Sequence, residues 1–160
     1  MKTYVITLAK TFPAGHPRAG EATDFRKKFE NGKKKHTIRG NVSLWARRMN
    51  EVEAGKACLS IREWSGRPYN SKQVEIARLT KDDGIGMQEM AMQITQPKMD
   101  GRNVAYIGLF SRVWTDGHYD KVLTEKIAKN DGLLIEDWKA WFKDCKGNCL
   151  AIIHFTPFRY

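Results

Sequence analysis

The spacing of apolar residues changes near Gly55, and this change restricts the folds that the chain can adopt. Before Gly55, apolar residues recur three or four positions apart in two segments. This spacing predicts a short helix at about 23–32 and a longer one that follows the N-cap residue Asn41. After Gly55 the period falls to two, which predicts strands at 57–64 and 73–79. Both periods in one short chain indicate an α+β fold.

The remaining segments add strands on both sides of these elements. A loop at 11–20 contains two prolines and two glycines, which exclude a helix there. We favour a strand over a helix at 87–94, and a bulge or twist near 77–79. The other predicted elements are strands at 3–8, 36–39, 103–110 and 150–155 and helices at 121–129 and 136–143. Six or seven strands with inserted helices predict an α+β fold built on a small barrel or a strongly bent sheet.

The length of 160 residues fits one domain, and no repeat or Pro/Gly-rich linker divides it. We therefore expect residues 1–160 to form a single unit. The longest apolar run, at 150–155, is far shorter than the ~20 residues of a membrane span. The first eight residues are typical of a strand rather than a signal peptide, and three cysteines without a CxxC pair fit reduced thiols. These features predict a cytoplasmic protein without a membrane partner.

Positive charge is concentrated in one part of the sequence. The chain has 28 Lys and Arg against 18 Asp and Glu, a net charge of +10. Nine of these basic residues and one acid lie at 26–48, the basic stretch, which alone carries +8. This concentration predicts a surface that contacts phosphates and releases their counterions, although a solvated helix face followed by a solubilising loop is the alternative. Four nearby rings could stack on unpaired bases: Trp45, Trp64, Tyr69 and His36.

Four stretches resemble segments of a known family, and they occur in the family's order. Residues 32–39, Gly-Lys-Lys-Lys-His-Thr-Ile-Arg, resemble the G-x-K-x-x-T-I-R signature of ASCH domains, a branch of the PUA-like barrel superfamily. The second stretch is Trp45 with Gly55 before an apolar strand, and the third is P-Y-x-S-K-Q at 68–73, which resembles phage-like and bacterial members. The fourth is L-T-E-K at 123–126, which is followed by Asn-Asp-Gly and by a helix with Trp138, Trp141 and Phe142. Together these matches extend over about two-thirds of the chain.

The resemblance implies a PUA-like barrel with flanking helices and a cleft that binds a nucleotide or an RNA end. In the small bacterial members that act as acetylcytidine amidohydrolases, a lysine, a threonine and an acidic residue carry the chemistry. These positions fall on Lys34, Thr37 and Asp131. This chain has Asp where those enzymes have Glu, so its carboxylate is one methylene shorter. Residues 82–117 are absent from the smallest enzymes, and we expect this insertion to cap or reshape the cleft.

A lysine, a threonine and a carboxylate form a chemically sensible set. A threonine hydroxyl becomes a useful nucleophile when a base removes its proton. Lys34 can act as that base if burial or neighbouring cations lower its pKa, and Asp131 would then protonate a leaving amine or position water. The alternative is structural, with Thr37 as an ordinary strand residue, Lys34 in solvent and Asp131 in a turn before Gly132.

The sequence therefore predicts an RNA- or nucleotide-binding domain with a basic cleft, and an amidohydrolase acting on acetylated cytidine as the alternative. A metal-independent ribonuclease is a third possibility, and a protein–protein adaptor remains open. We assign binding to basic residues near the cleft, with the first of them on a loop that could form one rim: Arg18, Lys33, Lys35, Arg39, Arg47, Arg67 and Lys72. We expect no cofactor and no metal, because the four histidines are scattered and Cys145 and Cys149 lack a second Cys or His pair.

Overall fold

The described strands form two sheets with helices packed against them, which confirms the α+β class. The computed structural model describes residues 1–95, 108–115, 118–145 and 149–160. Its elements are, in chain order, β1 (Lys2–Thr7), α1 (Phe25–Glu30), β2 (His36–Arg39), α2 (Val42–Glu53), β3 (Ala57–Trp64), β4 (Gln73–Leu79), β5 (Gly86–Thr95), β6 (Gly108–Thr115), β7 (His118–Leu123), α3 (Thr124–Asn130), α4 (Ile135–Trp141) and β8 (Cys149–His154), with a short 3₁₀ turn at Lys81–Asp83. Within these residues, no helix has both the length and the apolar composition needed to cross a membrane.

The smaller sheet has the strand order β1-β3-β4. β1 runs parallel to β3, whereas β4 is antiparallel to it. A parallel pair needs a crossover connection, and here α1, β2 and α2 lie between the two strands in the chain. Opposite Ile61 and Arg62, β4 steps from Ala77 to Glu75. Ile76 is therefore the extra residue of a β-bulge, directly before the stretch where an irregularity was predicted.

The larger sheet has the order β2-β8-β5-β6-β7 and is antiparallel throughout. β8 pairs with β2 on one side and β5 on the other, and its apolar residues are buried. A nearly continuous apolar run suits such a central strand because both of its faces are covered. Within the described residues, the strands form these two sheets and no closed barrel. The PUA-like barrel that the family resemblance implies is therefore not confirmed.

Helix α2 packs against both sheets, because it contacts β3 in the smaller one and β5 and β8 in the larger one. The Asn41 side chain accepts a hydrogen bond from the Leu44 amide at 3.2 Å and caps the helix as predicted. Trp45, Met49 and Val52 turn towards the core. The largest fully buried apolar side chains are Ile6, Leu59, Ile61, Met90, Ile127, Trp138, Ile152 and Ile153.

Most elements lie where the periodicity places them, and β3 and β4 have the predicted bounds. The segment at 87–94 is confirmed as a strand within β5. The helix predicted at 121–129 is wrong at its start, because residues 121–123 belong to β7 and pair with β6, and α3 begins only at Thr124. Of the strand predicted at 103–110, residues 103–107 lie outside the described residues, as does part of the expected insertion at 82–117.

Candidate functional site

The chain turns sharply after α1 and then enters β2. Gly32, at φ +73°, adopts the left-handed conformation that favours glycine. Two backbone hydrogen bonds fix the next residues: the Lys34 amide donates to the Lys28 carbonyl at 2.8 Å, and the Lys35 amide donates to the Asn130 carbonyl at 2.7 Å. The second bond ties this turn to the end of α3. The lysine motif and the turn after α3 therefore meet, although they are far apart in sequence.

The three consecutive lysines of this turn meet different environments. Lys33 is exposed and Lys35 is half-buried, but Lys34 is only 2% exposed. The Lys34 ammonium donates hydrogen bonds at 2.6 Å to both Oδ1 and the backbone carbonyl of Asp131, which is buried as well. The chain approaches closely here, since a Cβ on Gly132, at φ +80°, would lie 3.3 Å from the Lys34 Cβ. The structure thus brings Lys34 and Asp131 together as a buried ion pair.

Burial changes the pKa of both partners. It lowers the pKa of Lys34, and the Asp131 carboxylate opposes this change without reversing it. Burial raises the pKa of Asp131 against the opposing effect of the Lys34 and Arg39 charges. The Phe25 ring, 4.0 Å from the ammonium, is part of this apolar surrounding. Because the two pKa values approach each other, the proton passes from Lys34 to Asp131 more easily than it would in water.

Thr37 lies on β2 and is 4% exposed. Together with Lys34 and Asp131 it lines a cavity of about 20 Å³, which has room for about one water molecule. Among the described residues, no group hydrogen-bonds the Thr37 hydroxyl. The three residues predicted to carry catalysis therefore share one cavity, in which a single water molecule would fit.

A second small cavity, of about 100 Å³, lies beside this one, and Lys34, Thr37 and Arg39 line both. Arg39 is partly buried and donates to the backbone carbonyls of Thr7 at 2.9 Å and Ile38 at 3.0 Å. Burial lowers the pKa of its guanidinium. Arg39 was predicted to bind nucleic acid, and the structure places its charge at these cavities rather than in the open.

Four lysines surround a larger cavity of about 470 Å³, which we call the lysine cavity. It is lined by Lys28, Gly32, Lys33, Lys35, Lys129, Asn130, Gly132, Leu133 and Leu134. Among the described residues, none of the four ammonium groups forms an ion pair. Asn130 and Gly132 flank Asp131 in the chain, so the lysine cavity and the buried pair share the turn after α3. Lys33 and Lys35, two of the residues predicted to bind nucleic acid, both line this cavity.

Other predicted contacts for nucleic acid are dispersed over the molecule. The Arg18 guanidinium pairs with the carboxylates of Glu21 and Asp137, each at 2.7 Å, so its charge is compensated. Arg47 lies on the exposed side of α2, and Lys72 is exposed directly before β4. Neither residue lines the lysine cavity or the two small cavities.

A further cavity, of about 520 Å³, lies between the end of β1 and the β3–β4 loop, and we call it the aromatic cleft. It is lined by Thr7, Ala9, Lys10, Thr11, Trp64, Gly66, Arg67, Pro68 and Tyr69. The Trp64 and Tyr69 rings have centroids 5.3 Å apart and are tilted by 51°. Of the four rings suggested for base stacking, these two line the cleft. Trp45 and His36 are buried in the interior, so the prediction is wrong for them.

Two histidines meet in the interior, although the sequence suggested only scattered ones. The β2–β8 register places His36 opposite His154, with ring centroids 5.5 Å apart. His36 Nε2 lies 2.6 Å from the Tyr160 hydroxyl, to which the Asn130 side-chain amide donates at 3.2 Å. Burial lowers the pKa of His36 well below its ordinary value and that of His154 to about 3. In the described part of the chain, no group of three or more His, Cys, Asp or Glu residues is placed to hold a metal ion.

Sequence reasoning also missed Lys129, which lines the lysine cavity although it lies outside the basic stretch. The one feature of the sequence that could have indicated Lys129 is its position two residues before Asp131, in a motif that resembles the family.

Comparison of the chain with protein-family models, curated proteins and solved structures finds no match. Function is therefore inferred from the buried pair, the lysine cavity and the aromatic cleft.

Proposed function

We propose that this protein binds a nucleotide or the end of an RNA strand through its lysine cavity. The observation that carries the proposal is a cavity of about 470 Å³ lined by four lysines that form no ion pair among the described residues, although the Lys28 ammonium donates to the Thr23 carbonyl at 2.7 Å. That volume falls within the range of about 300–1,000 Å³ that is typical of small-ligand sites. Clefts lined by charge of one sign raise the local concentration of oppositely charged ligands, so the lysines favour a phosphate-bearing one.

The cavity lining also suits the rest of a nucleotide. Leu133 and Leu134 lie beside the lysines, and Leu134 is 72% exposed. Leu133 is buried, so the Leu134 side chain offers the apolar surface for a sugar or a base next to the charged groups. Arg26, by contrast, pairs with Glu30 and Glu63, so part of the basic stretch is neutralised within the protein. The cavity lysines, unlike Arg26, form no ion pair among the described residues.

Fluorescence anisotropy with a short fluorescein-labelled single-stranded RNA, measured over a series of salt concentrations, tests this binding. We expect the affinity to fall steeply as salt rises, because counterions are released from the RNA. Lys33→Ala, Lys35→Ala and Lys129→Ala should each weaken binding and reduce the slope of log affinity against log salt by about 0.7. Lys56→Ala, at an exposed lysine outside the cavity, is the control and should change neither quantity. An affinity that is equal at low and physiological salt would overturn the proposal.

A second candidate function is removal of the acyl group from an acetylated cytidine, and the shared cavity of Lys34, Thr37 and Asp131 favours it. The 2.6 Å contact means that the shorter Asp side chain reaches the lysine. Neutral Lys34 accepts the Thr37 hydroxyl proton through a water molecule, and the hydroxyl oxygen bonds to the acyl carbon. The Lys34–Asp131 pair returns that proton to the departing amine nitrogen. Water then hydrolyses the threonine ester, which releases acetate and restores the hydroxyl.

Release of acetate from acetylated cytidine tests this second candidate. Thr37→Val removes the nucleophile at nearly constant volume and should lower the rate by about 100-fold or more. Thr37→Ser keeps a hydroxyl and should retain part of the activity. RNA binding by both variants should stay unchanged, because Thr37 does not line the lysine cavity. Equal acetate release by the unaltered protein and Thr37→Val would exclude this chemistry.

A further inference from the structure

The loop that forms one wall of the aromatic cleft is held by its own hydrogen bonds. The Ser65 amide donates to the Lys72 carbonyl at 2.8 Å and closes the loop. Inside it, the Gly66 amide donates to the Ser71 hydroxyl at 3.0 Å, and that hydroxyl donates to the Arg67 carbonyl at 2.9 Å. These bonds close the loop and define the path of its backbone on the surface.

Tyr69 has an unusual conformation in this loop. Its φ of +66° lies in the left-handed region, which bulky residues rarely adopt. The side chain is 89% exposed, so burial offsets little of the backbone strain. Strained residues of this kind cluster at ligand sites. The Tyr69 ring contacts Trp64 at a tilt of 51°, and its high exposure leaves it open to a ligand, whereas Trp64 is half-buried.

Charge and position indicate what the aromatic cleft accepts. Its charged lining residues, Lys10 and Arg67, are both basic, and none of the described lining residues is acidic. Thr7 lines both the cleft and the 100 Å³ cavity that contains Thr37. Gln73, at the end of the loop motif, donates to the Thr7 hydroxyl at 3.2 Å. A ligand in the cleft would thus be anionic, would present a flat ring, and would lie beside the site of the buried pair.

We propose that the aromatic cleft is a nucleobase subsite, in which the exposed Tyr69 ring stacks on one unpaired base beside Trp64 while Arg67 and Lys10 contact the adjoining phosphate. The proposal rests on the proposed function, since the base belongs to the nucleotide or RNA strand that the lysine cavity binds. Stacking on aromatic rings tolerates every base, so the subsite selects unpaired nucleotides rather than a sequence. The volume of about 520 Å³ is sufficient for a ligand of this class.

A short single-stranded RNA with one 2-aminopurine tests the subsite, because the fluorescence of this base falls when its ring stacks. The unaltered protein should quench the probe. Tyr69→Leu should abolish the quenching and lower the affinity about tenfold. Tyr69→Phe keeps the ring and should retain both properties. Tyr69→Gly removes the ring and also relieves the left-handed strain, so its melting temperature should stay within about 4 °C of the unaltered protein while its affinity falls.

Salt dependence separates the subsite from the lysine cavity. Tyr69→Leu should leave the salt slope of RNA binding unchanged, because no phosphate contact is lost. If Tyr69→Leu and Trp64→Leu bind the RNA with unaltered affinity and quenching, the nucleobase subsite is overturned and the lysine cavity stands. If the unaltered protein binds no RNA at any salt concentration, the proposed function fails and the subsite fails with it.

Discussion

Lys34 and Lys35 are neighbours in the chain, but their ammonium groups belong to different parts of the molecule. Lys34 is buried and bonded to Asp131 at 2.6 Å, whereas Lys35 lines the lysine cavity. The buried Lys34 charge is stabilised by one carboxylate. The Lys35 charge is stabilised by solvent, by salt ions and by any anionic ligand. A single run of basic residues thus supplies one member of an internal ion pair and part of the positive charge around the lysine cavity. Burial, not the number of charges, decides which role each lysine has.

Substitutions in the buried Lys34–Asp131 pair should change the free energy of unfolding most strongly. Asp131→Ala leaves the Lys34 ammonium without its partner in the interior, so the free energy of unfolding should fall by about 3–5 kcal/mol. Urea denaturation measures this loss. The double variant Lys34→Met/Asp131→Leu removes both charges and should recover most of it, because an apolar pair needs no compensation. A loss below about 1 kcal/mol in Asp131→Ala would mean that Lys34 is stabilised without this carboxylate.

The residues of the buried pair could be predicted from the sequence, but their environment could not. The family resemblance selected Lys34, Thr37 and Asp131 together, and the three do line one cavity. Whether Lys34 or Lys35 points inward is decided by the bond from the Lys35 amide to Asn130, a contact between distant parts of the chain. No local pattern encodes such a contact.

In the fold, too, local features could be predicted from the sequence and long-range contacts could not. The bounds of β3 and β4 could be predicted because a period of two is a local property of the sequence. The order β2-β8-β5 depends on long-range pairing, and this pairing creates the His36–His154 contact. The error at 121–123 also comes from strand pairing, because pairing with the preceding strand β6 extends β7 into a segment of helical pattern.

The buried histidines His36 and His154 should make the stability of the protein depend on pH. Burial lowers the pKa of both, to about 3 for His154, so they stay neutral in the folded chain while the unfolded chain takes up protons below pH 6.5. Stability is therefore full above this pH and is lost as the pH falls towards the lowered pKa values. Each histidine should contribute up to about 1.4 kcal/mol per pH unit to the slope between about pH 6 and pH 5. Urea denaturation at several pH values measures the slope.

His154→Phe should remove about half of this histidine contribution, since His36 remains. Lys35→Ala is the control from the lysine cavity and should leave the slope unchanged, because it removes neither histidine. An identical slope in His154→Phe and the unaltered protein would assign the acid sensitivity to carboxylates instead.

Substitution of the lysines that line the lysine cavity should change the free energy of unfolding least, and with the opposite sign. Lys33, Lys35 and Lys129 converge on one cavity without ion-pair partners among the described residues, so they repel one another in the folded state. Replacing all three by Ala should raise the free energy of unfolding by about 0.5 kcal/mol or less at low salt. The gain should vanish at high salt, where the Debye length falls to about 3 Å. Urea denaturation at two salt concentrations measures it, and a loss that does not depend on salt would show that these side chains stabilise the fold by packing. A gain in the free energy of unfolding that occurs only at low salt would mean that these lysines repel one another in the folded protein. Binding of an anionic ligand would reduce this repulsion.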